Sequence, residues 1–206
     1  MIRSTPGARR AFSLIELLVA LTITVTLLAA TMTALDTSFK SYKATTEGAS
    51  TNVIARMVMH RMLAMIRTGE NFGPYPADPL DPTQNPIEDS TFIEFETNRV
   101  VATNSWRVIR LEARATSDAA RGPFELWYVR TDFSNGVEGD TEERPLLSGI
   151  ERASFWLEYD VGPRLRRATV DLTVRPNDFQ DASFNTGLVA PTIRLVSSVG
   201  PRKLED

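Results

Sequence analysis

The chain has 206 residues, 42% hydrophobic and 24% charged, which suits one globular domain with a real core, or one domain plus an appendage, and excludes wholesale disorder. Its formal net charge of −3 argues against nucleic acid as a main partner, because phosphate binding needs clustered basic charge. With no cysteine and one histidine, His60, the sequence rules out disulfide scaffolds, zinc ribbons, thiol chemistry and two-histidine metal sites.

Residues 1–11 are basic, with Arg3, Arg9 and Arg10 and no acid. Phe12 to Leu35 is apolar, and from Leu17 to Leu35 it carries no charge. About 20 apolar residues cross a bilayer as a helix, and the arginines ahead of them should stay on the cytoplasmic side. A plain signal anchor, a cleaved signal peptide and a twin-arginine export signal at Arg9-Arg10-Ala11-Phe12 compete for such a segment. No A-x-A site follows the apolar stretch, and the stretch is longer than an export signal needs.

Glu16 is the anomaly. An ionised carboxylate at the start of a membrane stretch costs on the order of 2.5–3.5 kcal/mol on insertion scales, and a plain anchor has no use for it. Phe12 and Glu16 stand one turn apart on one helix face. Cleavage between Ala11 and Phe12 would create an α-amine titrating at about pH 7.7–8.0, which Glu16 of the same chain or of a neighbour can meet. The run Ala11-Phe12-Ser13-Leu14-Ile15-Glu16-Leu17-Leu18-Val19-Ala20-Leu21 resembles the type IV prepilin leader and processing site. That resemblance implies a prepilin peptidase that cuts between Ala11 and Phe12, N-methylation of the new Phe12 amine, and an assembly role for Glu16. Ala11 departs from the family's usual glycine, but it is small enough for the junction.

No proline occurs between Ala8 and Phe72, so one long helix, or two stacked ones, can run from Phe12 to about Thr68. At 1.5 Å per residue the run reaches roughly 85 Å, so its outer part must pack on a soluble domain. Phe39, Tyr42 and Thr46, then Ile54, Val58, Met62 and Met65, recur at helical spacing, and Thr45-Thr46-Glu47-Gly48 predicts a bend. Met62 and Met65 are expected to fill a core, Met59 to face a partner, and His60 to lie on the surface. Residues 70–90 hold five prolines (Pro74, Pro76, Pro79, Pro82 and Pro86) and predict an extended surface loop.

Strands are predicted at Thr91–Thr97, Trp106–Ala113, Phe124–Thr131, Gly149–Tyr159, Ala168–Arg175 and Thr192–Ser198. Ala168, Val170, Leu172 and Val174 alternate with Thr169, Asp171, Thr173 and Arg175, the mark of a strand with one wet face. Asn135-Gly136 signals a turn between two strands. Asp132, Ser134, Glu138, Asp140 and Glu143 approach the spacing of a calcium loop, but Val137 stands where that loop needs glycine, so a solvated hairpin loop is expected. Arg164, Arg166 and Arg167 are read as the solvent-facing start of a strand. Glu94 and Glu96 are an acid pair without further catalytic context. No nucleotide loop and no nucleophile elbow is present, so no catalytic residue, cofactor or metal is assigned.

Leu146 to Asp160 and Ala168 to Val174 are similar to the corresponding stretch of J-type minor pseudopilins of type II secretion, with W-type minor pilins as relatives. The combined expectation is an α+β, pilin-like chain: a long N-terminal helix, membrane-spanning in its first half, packed on a largely antiparallel sheet. Its segments are a leader at 1–11, a transmembrane helix at 12–35, a periplasmic helix half at 36–69, a Pro-rich loop at 70–90 and a β-rich domain at 91–206. The resemblance implies a minor pseudopilin at the tip of a periplasmic filament, anchored in the bacterial inner membrane by a single pass. Prepilin peptidase and other pseudopilins or pilins are its implied partners. A minor pilin of a type IV pilus, or a membrane-tethered periplasmic enzyme or binding domain, are the alternatives.

Overall fold

The computed structural model describes residues 13–117, 122–162, 164–175 and 192–202. One helix, α1 (Leu14–Thr68, 55 residues), is followed by strands β1 (Glu70–Gly73), β2 (Ile87–Ser90), β3 (Phe92–Val100), β4 (Ser105–Ala115), β5 (Phe124–Ser134), β6 (Val137–Asp160), β7 (Arg164–Val174) and β8 (Ile193–Val199). The chain divides into two compact units, Met1–Thr45 and Thr46–Asp206. The helix continues unbroken through Thr45-Thr46-Glu47-Gly48, the weak helix sequence at that division.

In the second unit every strand pairing is antiparallel. The strands run in the order β1-β3-β4-β5-β6-β7-β8, and β2 pairs with β6 off this path. Strand β6 ties the sheet together. Its first half pairs with β5, and its second half pairs with β7 and with β2. The hairpin from β5 to β6 turns at Asn135 (φ 53°) and Gly136 (φ 77°), the left-handed pair that the Asn-Gly signal predicts.

The helix covers the sheet with Thr51, Ala55, Met59, Met62 and Ile66, which recur once per turn. Ala55, Met59, Met62 and Ile66 join Ile93, Phe95, Leu111, Leu126, Phe155, Val170 and Leu172 in one core. This corrects the predicted stripe. Met62 is buried and Met65 packs at the margin, but Ile54 is exposed, and Met59, expected to face a partner, is only 5% exposed. The buried face of the helix includes the small Thr51 and Ala55, so it does not follow the largest apolar residues. Phe39 and Tyr42 are exposed.

Gly69 ends the helix against Phe95: an added Cβ would lie 2.5 Å from the Phe95 Cδ2 atom, inside a fully buried ring. Gly69→Ala is therefore expected to destabilise the second unit by about 1–3 kcal/mol through overpacking. Urea unfolding of the full chain followed by Trp fluorescence measures this. An unchanged midpoint would mean the ring yields.

The region predicted as a loop at 70–90 is bordered by two short strands. All five prolines lie between them: β1 ends before Pro74 and β2 starts after Pro86. The segment is held down by Tyr159, whose hydroxyl donates to the Pro74 carbonyl at 2.6 Å and whose ring meets Tyr75 edge-on at 5.0 Å. Burial pushes the Tyr159 hydroxyl well above its usual pKa, which keeps it a donor. The Asn85 side chain pairs with both backbone groups of Tyr159, donating to its carbonyl and accepting from its N–H at 2.8 and 2.9 Å. It replaces a ladder partner where proline cannot supply one.

Candidate functional site

The first described turn of α1 is closed by its own side chain. Ser13 precedes the helix, and its backbone N–H donates to the Glu16 carboxylate at 3.0 Å, while the Leu17 N–H donates to the Ser13 carbonyl at 3.1 Å. A helix start leaves four N–H groups without partners, and Ser-x-x-Glu is the sequence form that satisfies one of them from position N3. Glu16 is thus engaged at the positive end of the helix dipole. The Ser13-x-x-Glu16 spacing is the sequence signal for this cap. Ala11 and Phe12, the predicted cleavage pair, lie outside the described residues, as does the leader at 1–11.

Downstream of Glu16 the helix is apolar and bare. It is the one helix among the described residues long and apolar enough to cross a membrane, with a mean hydropathy of 2.2 over its most apolar window and none of that window buried. Its threonines do not break the apolar character. Thr22 donates to the Val19 carbonyl, Thr24 to Ala20, Thr26 to Thr22, Thr31 to Leu28 and Thr33 to Ala29, at 2.7–3.1 Å. Each hydroxyl is satisfied inside the helix, as an environment without water requires.

The other sequence candidates resolve into structural pairs. The acidic 132–143 segment forms paired strands around the Asn135-Gly136 turn, not a loop. Asp132 accepts from Arg107 and Arg130, and those guanidinium groups hold its carboxyl below the usual carboxylate range. Arg114 does the same to Glu143. Among the described residues no group of three or more His, Asp or Glu is arranged to hold a metal ion. Glu94 and Glu96 pair with Arg110 and Arg99, and Arg166 and Arg167, exposed on β7, both pair with Glu158. His60 is exposed on α1. Asp171, expected on a wet face, is buried under a bidentate contact from Arg194 of β8 at 3.0 and 2.7 Å.

The comparison with protein families gives one match: residues 7–32 fit the model described as the prokaryotic N-terminal methylation motif. No curated protein and no solved structure matches the chain. The matched segment spans the end of the predicted leader, the predicted Ala11–Phe12 junction, Glu16 and most of the apolar stretch. The chain is type IV prepilin-like over that segment. The motif implies processing by a prepilin peptidase, assembly with other pilin-type subunits and anchoring by a single membrane helix.

Proposed function

We propose that this chain is a minor pseudopilin, a tip subunit of a periplasmic type II secretion filament whose assembly it primes. The observation that carries the reading is the methylation motif at residues 7–32, with Glu16 engaged at the first turn of a bare apolar helix. The similarity of residues 146–160 and 168–174 to J-type minor pseudopilins supports the finer assignment. Those residues fall on the second half of β6 and on β7, paired strands of the core.

The chemistry follows from the chain's own groups. Cleavage between Ala11 and Phe12 leaves an amine one residue ahead of Ser13. Consecutive Cα atoms are about 3.8 Å apart, so a carboxylate already at the Ser13 N–H is close to that amine. In lipid, the carboxylate caps its own helix. In a filament, the apolar helix exchanges lipid for helix neighbours, and Glu16 meets the amine of an adjacent subunit, while the sheet domain determines which subunits come together.

Co-expression with a prepilin peptidase is expected to remove residues 1–11 and leave N-methylated Phe12, read by intact mass of the detergent-extracted protein. A mature chain that still starts at Met1, or that starts after Leu35, would overturn the reading. Ala11→Gly should process at least as well. Deleting the gene should abolish secretion of folded proteins and spare surface pili. The opposite pattern would assign the chain to a pilus.

A further inference from the structure

A groove of about 460 Å³ lies between the last turns of α1 and the end of β8, within the second unit. Leu63, Ala64 and Val199 form its apolar lining, and His60, Arg67 and Arg202 stand exposed around it. Arg67 and Arg202 differ from most arginines of the sheet, which are matched to carboxylates: Arg107 and Arg130 to Asp132, Arg114 to Glu143, Arg152 to Asp89, Arg175 to Glu151. Among the described residues, no carboxylate lies within ion-pair distance of His60, Arg67 or Arg202; the Arg202 backbone N–H donates to the Arg67 carbonyl at 2.8 Å and joins the two sides. Two arginines and a histidine around an apolar floor complement a segment that carries both carboxylates and apolar side chains.

The second observation is the strand beside the groove. β8 ends the sheet path, and among the described residues β7 is its one neighbour. Its outer edge therefore presents backbone N–H and C=O groups in a row, a template for an added strand.

We propose that the groove and the outer edge of β8 together bind an extended acidic segment of a partner protein. The segment adds to β8 as a strand, sets apolar side chains on Leu63 and Val199, and delivers carboxylates to Arg67 and Arg202. An anionic lipid headgroup would use the cations but not the strand edge. The groove is built from residues 60–68 and 198–202, far along the chain from the uncharged stretch that ends at Leu35. The inference does not depend on the filament reading.

The test uses the full chain in non-ionic detergent and a fluorescent peptide read by anisotropy, in which Val and Glu take turns at every second position with Thr between them, so that both residue types face the groove. Saturable binding is expected, weakened by about tenfold or more in Arg67→Glu and in Arg202→Glu, as for charge pairs at an interface. Arg67→Lys, which keeps the charge, should retain most of the affinity and guards against misfolding of the reversed variants. Arg144→Glu, the same charge change on β6, should alter binding less than about twofold, as a rim charge would. A peptide with Lys for Glu, or with alternate amides N-methylated, should not bind. Equal weakening by Arg144→Glu would reduce the effect to net charge and overturn the site. Undiminished binding of the N-methylated peptide would overturn strand addition. Displacement of the peptide by phosphatidylglycerol vesicles would assign the groove to lipid instead. Binding seen only after deletion of residues 203–206 would assign the groove to the chain's own end.

Discussion

Glu16→Val is expected to leave the chain inserted in the membrane and to remove it from higher assemblies. The substitution deletes an insertion cost on the order of 2.5–3.5 kcal/mol. It also strips the acceptor from the Ser13 N–H, and loss of a helix cap costs about 0.5–2 kcal/mol. The two effects oppose, and the first is an upper bound because Glu16 stands at the end of the span, so insertion of the free subunit is expected to persist. In an assembly the neighbour's amine loses its partner, and breaking one member of a buried ion pair costs about 3–5 kcal/mol. Crosslinking to co-expressed filament subunits in cells should drop sharply, while cleavage before Phe12 persists, since the scissile bond is a full turn away. Glu16→Gln separates the two roles. It keeps an oxygen for the Ser13 N–H but no charge, so it should fail like Glu16→Val if the amine pairing matters. Full assembly of Glu16→Gln would reduce Glu16 to a helix cap and remove the physical ground for the filament role.

Phe155→Ala is expected to be the most damaging single change in the sheet domain. Phe155 is 0% exposed in the second half of β6, between Val170 on β7 and the Ser90 end of β2. Truncating a core phenylalanine costs about 3–5 kcal/mol, part lost transfer energy and part cavity. For a domain of this size that lowers Tm by on the order of 10 °C. Its neighbour supplies the contrast. Trp156 points to the other face, 42% exposed, with its indole N–H donating to Asp89 at 3.4 Å. Trp156→Ala should cost no more than about 1 kcal/mol. Thermal unfolding of both variants by circular dichroism tests the pleat directly. Comparable losses would mean the register of β6 differs from the one described.

How much of this was legible in the sequence depends on what each residue had to signal. β7 was readable because Ala168, Val170, Leu172 and Val174 are apolar at every second position and all face the core. The Asn135-Gly136 turn was readable because only a few residues tolerate two successive left-handed conformations. The first half of β6 was not, since Val137 to Ser148 is acidic, poor in β-branched residues, and includes Gly139 and Pro145. Its strand character comes from pairing with β5, with register shifts beside Pro145. β1 and β2 are four residues each, too short to show a period, and border prolines that argue for a loop. At the N-terminus the charge of Glu16 was conspicuous against an apolar background, whereas its hydrogen bond to Ser13 depends on geometry. The groove of His60, Arg67 and Arg202 was beyond reach, because β8 returns to the helix from the far end of the sequence.

The threonines of the membrane stretch have a consequence for movement. Thr22, Thr24, Thr26, Thr31 and Thr33 each spend their hydroxyl proton on a carbonyl of their own helix. None of these five hydroxyl protons has to change partner when the surroundings change from acyl chains to protein. If the helix leaves a bilayer for a filament, as the proposed function requires, none of these five hydroxyls would have to break a polar contact along the span. Such a helix is greased along its length and latched at one end, where the Glu16 carboxylate can trade one N–H donor for another.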